Sequence, residues 1–285
     1  MHNHVALLTD YGVDDEFVGV LKSVIIDMAP HVRITDITHG VPPFDVRWGS
    51  LALARAVQYV PAGVIVAVVD PGVGSERRAI AIEVAGGRGV LVGPDNGLLP
   101  AAAAMAGGAD RAFVLSNTDL HIEAPGTTFA GRDVFAPVAA FLCNGGPIEQ
   151  VGEEIDPAVL LPGVVPLPSE VTDGMHGAGL RCEVTWVDRY GNCQLNVGPE
   201  DVSAFGPVLR LVVGDDVRSA RIETHFGAIG EGAIGAVIDS YGMLALAVDR
   251  GSAAQELRLQ AGDAVNIHRG DGGTSTPVAL RPGAH

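Results

Sequence analysis

Apolar runs alternate with amphipathic segments through the first half of the chain. Val5-Ala6-Leu7-Leu8-Thr9 is short, apolar and closed by Asp10-Tyr11-Gly12, which predicts a strand ending in a turn. Phe17, Leu21, Val24, Ile25 and Met28 then recur at three- and four-residue spacing, one face of a predicted helix. Val32–Thr35 predicts a second strand, and Asp45 to Tyr59 a second helix after Pro42-Pro43. Val64 to Val69 is continuous and rich in β-branched residues, as suits a strand buried on both faces. Ala79–Val84, Gly89–Val92 and Phe113–Leu115 predict further strands, and Gly131 to Leu142 a helix. Such alternation predicts an α/β domain with a mainly parallel sheet covered on both sides. Ligands on such sheets bind at the carboxyl ends of the strands, where Asp10 and Asp70 fall.

The pattern changes around residues 156 to 178, where Pro157, Pro162, Pro166 and Pro168 lie among glycines and small residues and predict a linker. We place the boundary between residues 1–165 and 166–285. Helical periodicity is lost beyond it. Arg181 to Asn196 predicts two strands around the turn Asp188-Arg189-Tyr190-Gly191-Asn192. Short strands continue at Leu209–Val213, Ala233–Ile238, Leu244–Val248 and Ala264–His268, so this part reads as a smaller all-β barrel. The Gly-, Pro- and Thr-rich tail after Arg269 is expected to be loose. The sequence shows no evident internal repeat.

Composition narrows the partners. With 34 acidic against 18 basic residues, the formal net charge of −16 argues against nucleic acid or an anionic membrane. No apolar run approaches the roughly 18 residues of a spanning helix, and Met1-His2-Asn3-His4 does not open a signal peptide. Three cysteines, Cys143, Cys182 and Cys193, form no CxxC; the odd count predicts core packing in a reducing, cytoplasmic setting. The histidines show no metal-ligand spacing, so no metal is expected.

The candidate chemistry centres on VVDPGVGSERR, residues 68–78. Its glycines fit neither nucleotide fingerprint, and the strand that follows leaves no helix N-terminus for a phosphate. What remains is Asp70 at a strand end, with Arg77 close enough to fold back onto it. The pair is either a structural ion pair or a fixed, ionised carboxylate able to position a water. Asp10 is placed to take both hydroxyls of a ribose. Asp15 either supports the same pocket or caps the next helix. Asp188 and Asn192 bracket ordinary turn chemistry, and Ser240-Tyr241-Gly242 is unremarkable on its own.

Taken together, TDYGVDD (9–15), PPFDV (42–46), VVDPGVGSERR (68–78), GPDNGLL (93–99), TFAGRDVFAP (128–137), VDRYGNCQLN (187–196) and DSYGMLALAV (239–248) resemble one family. It is that of the adenosine-forming S-adenosyl-L-methionine hydrolases, or hydroxide adenosyltransferases, related to the fluorinase and chlorinase. The resemblance implies a homotrimer of two-domain subunits, with ligand between one subunit's first domain and a neighbour's second. It implies hydrolysis of S-adenosyl-L-methionine by water or hydroxide at C5′ to adenosine and L-methionine, the substrate being bound without any cofactor. By position, Asp10 would hold the ribose diol, Asp15 would support that pocket, and Phe44 would pack on the ligand where the fluorinase has tryptophan. Asp188 and Asn192 would meet the methionine amino and adenine ends. Tyr190 would pack on the ring, and Ser240, with Tyr241 beside it, would meet the carboxylate. Asp70 and Arg77 match the first two members of an Asp-Arg-His trio that handles water. The halogenases lack that aspartate. The family pattern TFHGRD reads TFAGRD here, so Ala130 takes the histidine's position, which implies impaired turnover. The alternatives are a non-catalytic module binding S-adenosylmethionine or adenosine, and a halogenase, which Asp70 and Arg77 disfavour.

Overall fold

The runs read as strands in the first half join one sheet in the computed structural model, which describes residues 1–270. The strands are β1 (His4–Thr9), β2 (Arg33–Thr38), β3 (Val64–Val68), β4 (Ala79–Val84), β5 (Gly89–Pro94), β6 (Ala109–Val114) and β7 (Glu153–Ile155), in the spatial order β2-β1-β3-β5-β4-β6-β7. β2, β1, β3 and β5 run parallel, and β4, β6 and β7 extend the sheet antiparallel.

β1 and β3 are buried along their whole length, which explains why neither alternates polar with apolar. Side chains of β1 divide by parity between two cores. Val5 and Leu7 join Leu21 and Ile25 of α1 (Phe17–Met28) with Val138 and Leu142 of α4 (Ala136–Cys143). Ala6 and Leu8 join Leu53 of α2 (Val46–Ala56) and Ala102 of α3 (Pro100–Met105). Only the central Leu21 and Ile25 of the α1 stripe are fully buried; Phe17 and Met28, at its ends, reach solvent.

The predicted helix from Asp45 is shorter than expected. Asp45 itself caps it by accepting from Trp48 N–H, and after Ala56 the chain tightens into a 3₁₀ turn to Tyr59. The helix expected from Gly131 begins instead as a widened π turn, Gly131–Phe135, with Ala136 N–H reaching back to Gly131 O. Pro137 lacks the N–H that a regular first turn would share with Asp133. α3 is nearly all alanine and β7 is a short acidic edge strand; neither has a readable period.

The second unit begins at Pro166. Its strands are β8 (Ser169–Asp173), β9 (Gly177–Val187), β10 (Cys193–Leu195), β11 (Val208–Val213), β12 (Asp216–Glu223), β13 (Ile234–Ile238), β14 (Leu244–Val248) and β15 (Ala264–Arg269). The order β10-β14-β13-β12-β11-β15-β9 closes on itself because long β9 pairs with β15 along its first half and with β10 along its second. β8 lies outside this seven-stranded barrel, on β9. Closure leaves few edges exposed. Val184, Leu195, Leu209, Leu211, Ala236, Leu246 and Ile267 fill the interior, joined by Val202 of α5 (Pro199–Val202) and Leu257 of α6 (Ala253–Leu257).

Two expectations need correction. Part of the predicted linker is structured, with a 3₁₀ turn at Pro157–Val159 and β8 paired to β9. β12, mostly polar and exposed, was hidden from pattern reading. The tail from residue 271 lies outside the described residues.

All three cysteines are free and buried. Burial pushes the thiol of Cys143 up to about 11. Burial, then nearby carboxylates, push Cys182 and Cys193 up to about 12. A thiol-disulfide reagent at pH 8 should therefore label none of them in the native protein and all of them in guanidinium, which an absorbance assay reads directly.

Candidate active site

Parallel pairing of β1 with β3 sets the site. Leu8 lies opposite Ala67 and Thr9 opposite Val68, while the outer neighbours of these strands are β2 and β5. Strand order therefore reverses between them, the position at which open α/β sheets bind ligands. Asp10 and Tyr11 leave β1 level with Val69 and Asp70 leaving β3, and Asp10 N–H still donates to Val68 O at 3.3 Å.

Polar groups from β2 fasten the end of β1. Buried Thr9 Oγ1 accepts from Tyr11 N–H at 3.2 Å and meets His39 Nδ1 at 2.8 Å. Gly12 N–H donates to His39 O at 2.8 Å. His39 Nε2 lies 3.1 Å from Asp36 Oδ1, and Lys22 donates to Asp36 Oδ2 at 2.7 Å. Burial raises the Asp36 pKa, but hydrogen bonds from Lys22 and His39 outweigh it and hold the carboxyl below its usual range.

Asp10 Oδ2 accepts the Phe44 N–H at 3.0 Å. Phe44 has φ 69, the left-handed region, and the residue is 71% exposed. A bulky residue in that region costs about 1–2 kcal/mol. A strained backbone that holds an aromatic ring out in solvent points to function rather than packing.

Asp70 and Arg77 form the pair that their spacing suggested. Arg77 Nε lies 2.9 Å from both carboxylate oxygens, and Nη2 adds a bond to Oδ2. Both side chains are well shielded, 5% exposed for Asp70 and 15% for Arg77. The guanidinium also lies 5.5 Å above the Phe135 ring. Within the loop, Ser75 Oγ donates to Gly72 O and accepts from Arg77 N–H, and Asn96 Nδ2 donates to Val69 O at 2.8 Å. The next residue, Arg78, addresses a different buried carboxylate: its Nε donates to Asp95 Oδ2 at 2.8 Å and its Nη2 to Val159 O. Asp95 Oδ1 accepts from Leu161 N–H.

The Tyr11 ring packs with Phe17 and Phe129, centroids 5.7 Å away in each case, and those two rings meet at 5.0 Å. Its hydroxyl rests on Gly131, where a Cβ would come within 2.3 Å of it. Burial above all, then the charges of Asp10, Asp70 and Asp133, push the phenol well above its usual range, with Arg77 opposing. Ala130, just before Gly131, is buried. Asp15 is exposed, and the reading of it as a helix cap is corrected: Glu16 occupies the N-cap of α1 and makes no side-chain cap bond.

In the second unit the remaining candidates lie on two turns of identical design. Asp188 Oδ1 accepts from Tyr190 N–H and Asn192 N–H, and Asp188 N–H donates to Asn192 O. Asp239 Oδ1 likewise accepts from Tyr241 N–H and Met243 N–H, and Asp239 N–H donates to Met243 O. The second oxygen of each aspartate accepts from a side-chain amide, of Asn192 and of Gln194 respectively. Gly191 (φ 83) and Gly242 (φ 78) make both turns possible. Tyr190, Ser240 and Tyr241 are exposed on them. The chain thus does repeat itself, at the scale of one D-x-Y-G turn.

Each unit therefore has its own set: in the first, Asp10 and the Asp70–Arg77 pair past the ends of β1 and β3, Phe44 bonded to Asp10, Ala130 before the Gly131 that meets Tyr11, and Asp15 nearby in sequence; in the second, Asp188, Tyr190, Asn192, Ser240 and Tyr241 on the twin turns. Sequence reading singled out none of Tyr11, His39, Asn96 and Asp239. The available signals were the TDYG and PDNG segments and the second D-x-Y-G. Among the described residues, no cluster of three or more His, Cys, Asp or Glu could hold a metal, and no helix is long and apolar enough to cross a membrane.

Family comparison agrees with this geometry. Residues 5–152 match the SAM hydroxide adenosyltransferase N-terminal domain and residues 182–266 its C-terminal domain. A Salinispora tropica protein named (R)-S-adenosyl-L-methionine hydrolase is 42% identical over 266 residues, spanning 93% of this chain and 98% of its own. A Thermus thermophilus protein of the same name is 40% identical, over 92% and 98%. A fluorinase of Actinoplanes sp. is 27% identical over 92% and 96%. The crystal structure of an uncharacterized conserved protein from Thermotoga maritima superposes with TM-score 0.82 at 36% identity, covering 93% of this chain and all of that one.

The strain at Phe44 is open to a direct test. Phe44→Gly should leave the fold as stable as before or up to about 1 kcal/mol more stable in a denaturant melt, since glycine tolerates this φ and little packing is lost. A loss beyond 1 kcal/mol would show that the ring is structural.

Proposed function

The chain belongs to the SAM hydroxide adenosyltransferase family, and from that membership we propose that it hydrolyses S-adenosyl-L-methionine to adenosine and L-methionine. The observation that carries the reading is the Asp70–Arg77 pair, a shielded and rigidly oriented carboxylate beside Asp10 at the strand-order reversal. Water attacks C5′ in line with the C5′–S bond. The bond's electron pair leaves with sulfur as a neutral thioether, so no general acid is needed. The water's proton passes to Asp70, which Arg77 holds in place. Positioning and exclusion of bulk water supply most of the barrier reduction.

Asp10 takes the ribose hydroxyls, its carboxylate aimed by the Phe44 N–H, and the Phe44 ring covers the ligand. The second unit completes the site from a neighbouring copy in a trimer. Asp188 accepts three hydrogen bonds within its turn, which leaves a carboxylate about one acceptor direction for the methionine ammonium. Asn192 and Tyr190 meet the adenine end, and Ser240 and Tyr241 the carboxylate. No cofactor takes part.

Incubation with S-adenosyl-L-methionine, followed by chromatography, should give adenosine and methionine at a rate indifferent to fluoride or chloride. A 5′-halo-5′-deoxyadenosine product would replace this reading by a halogenase, and binding without turnover by a sensor. Asp10→Ala should weaken adenosine binding about 100-fold by calorimetry, the equivalent of two charge-assisted hydrogen bonds. Light scattering at assay concentration should give a trimer; a monomer with undiminished turnover overturns the shared site.

A further inference from the structure

We propose that the Tyr11 hydroxyl is a catalytic group: its oxygen accepts one hydrogen bond from the attacking water while Asp70 accepts the other. This rests on the hydrolase reading and names a residue that the reading does not use.

Register is the first support. Tyr11 leaves β1 level with Asp70 leaving β3, one residue beyond Asp10. The second is rigidity. Phe17 and Phe129 flank the ring, and Thr9 Oγ1 holds its amide. The third is where the hydroxyl ends up. It rests on Gly131 so closely that no other residue could stand there without moving it. The preceding position, Ala130, offers only a methyl group. The phenol oxygen therefore lies against residue 131, next in sequence to position 130, at which the resemblance expects an imidazole.

Electrostatics fit the role. Burial and three surrounding carboxylates keep the phenol protonated, so it is neutral and its oxygen can accept a hydrogen bond. A water that donates one proton to Tyr11 and one to Asp70 has a lone pair left to aim at carbon. As its oxygen bonds to C5′, the C5′–S pair departs with sulfur and the proton facing Asp70 transfers to that carboxylate. The proton facing Tyr11 stays as the hydroxyl proton of adenosine. The phenol's own proton is not consumed.

Tyr11→Phe removes the hydroxyl and keeps the aromatic packing. It should lower kcat by about 10–100-fold, with KM and the adenosine dissociation constant within twofold. Gly131→Ala, whose methyl displaces the hydroxyl, should show the same split. Ala130→His added to Tyr11→Phe should restore most of the lost kcat, since an imidazole would supply an acceptor beside the water. An unchanged kcat in Tyr11→Phe overturns the assignment, as does a KM that rises in step with the loss. Failure of the hydrolase reading is visible separately, as absence of adenosine in the wild-type reaction before any variant is made.

Discussion

The site depends on the parallel pairing of β1 with β3. That ladder carries two carboxylates, Asp10 and Asp70, to the same end of the sheet. Like charges so placed repel, and in a shielded setting the repulsion is not screened away. The structure answers with separate partners for each. Arg77 engages Asp70 through its guanidinium, while Asp10 accepts a backbone N–H from Phe44. The two acids are thereby held differently: Asp70 is charge-paired and rigid, and Asp10 is fixed by a single backbone N–H.

Support for this arrangement comes from beneath. The Thr9–His39–Asp36–Lys22 chain links the ends of β1 and β2 to α1, so the turn carrying Asp10 and Tyr11 is fixed on its far side. Phe44, by contrast, is held where its backbone is least comfortable. Stability is given up at one residue to present an aromatic surface, and the rigid sheet around it makes that tolerable.

Much of this could be read in advance. β1, β3 and β4 are apolar runs with clear ends, and the seven-residue spacing from Asp70 to Arg77 suits a turn that folds back. The domain classes followed from the loss of helical period after the proline-rich stretch. What escaped had no local signal. α3 lacks a polar face, β12 lacks an apolar one, and the π turn before Pro137 closes through a backbone bond, Ala136 N–H to Gly131 O, that no residue pattern signals. Tyr11 escaped for another reason. A tyrosine after a strand is common, and only the bare backbone at Gly131, more than a hundred residues away, shows where its hydroxyl goes.

Arg77 and Arg78 are consecutive, yet they address opposite sides of the chain as it enters β4, one reaching Asp70 and the other Asp95. Alternation along an extended segment makes this arrangement sensitive to parity. Gain or loss of a single residue between the loop and β4 would exchange the two guanidiniums and strand both buried acids at once. The register thus constrains the length of this loop independently of the side chains that it carries. Changes of length should accumulate instead at places that answer to no strand register, such as the outer turns of the barrel.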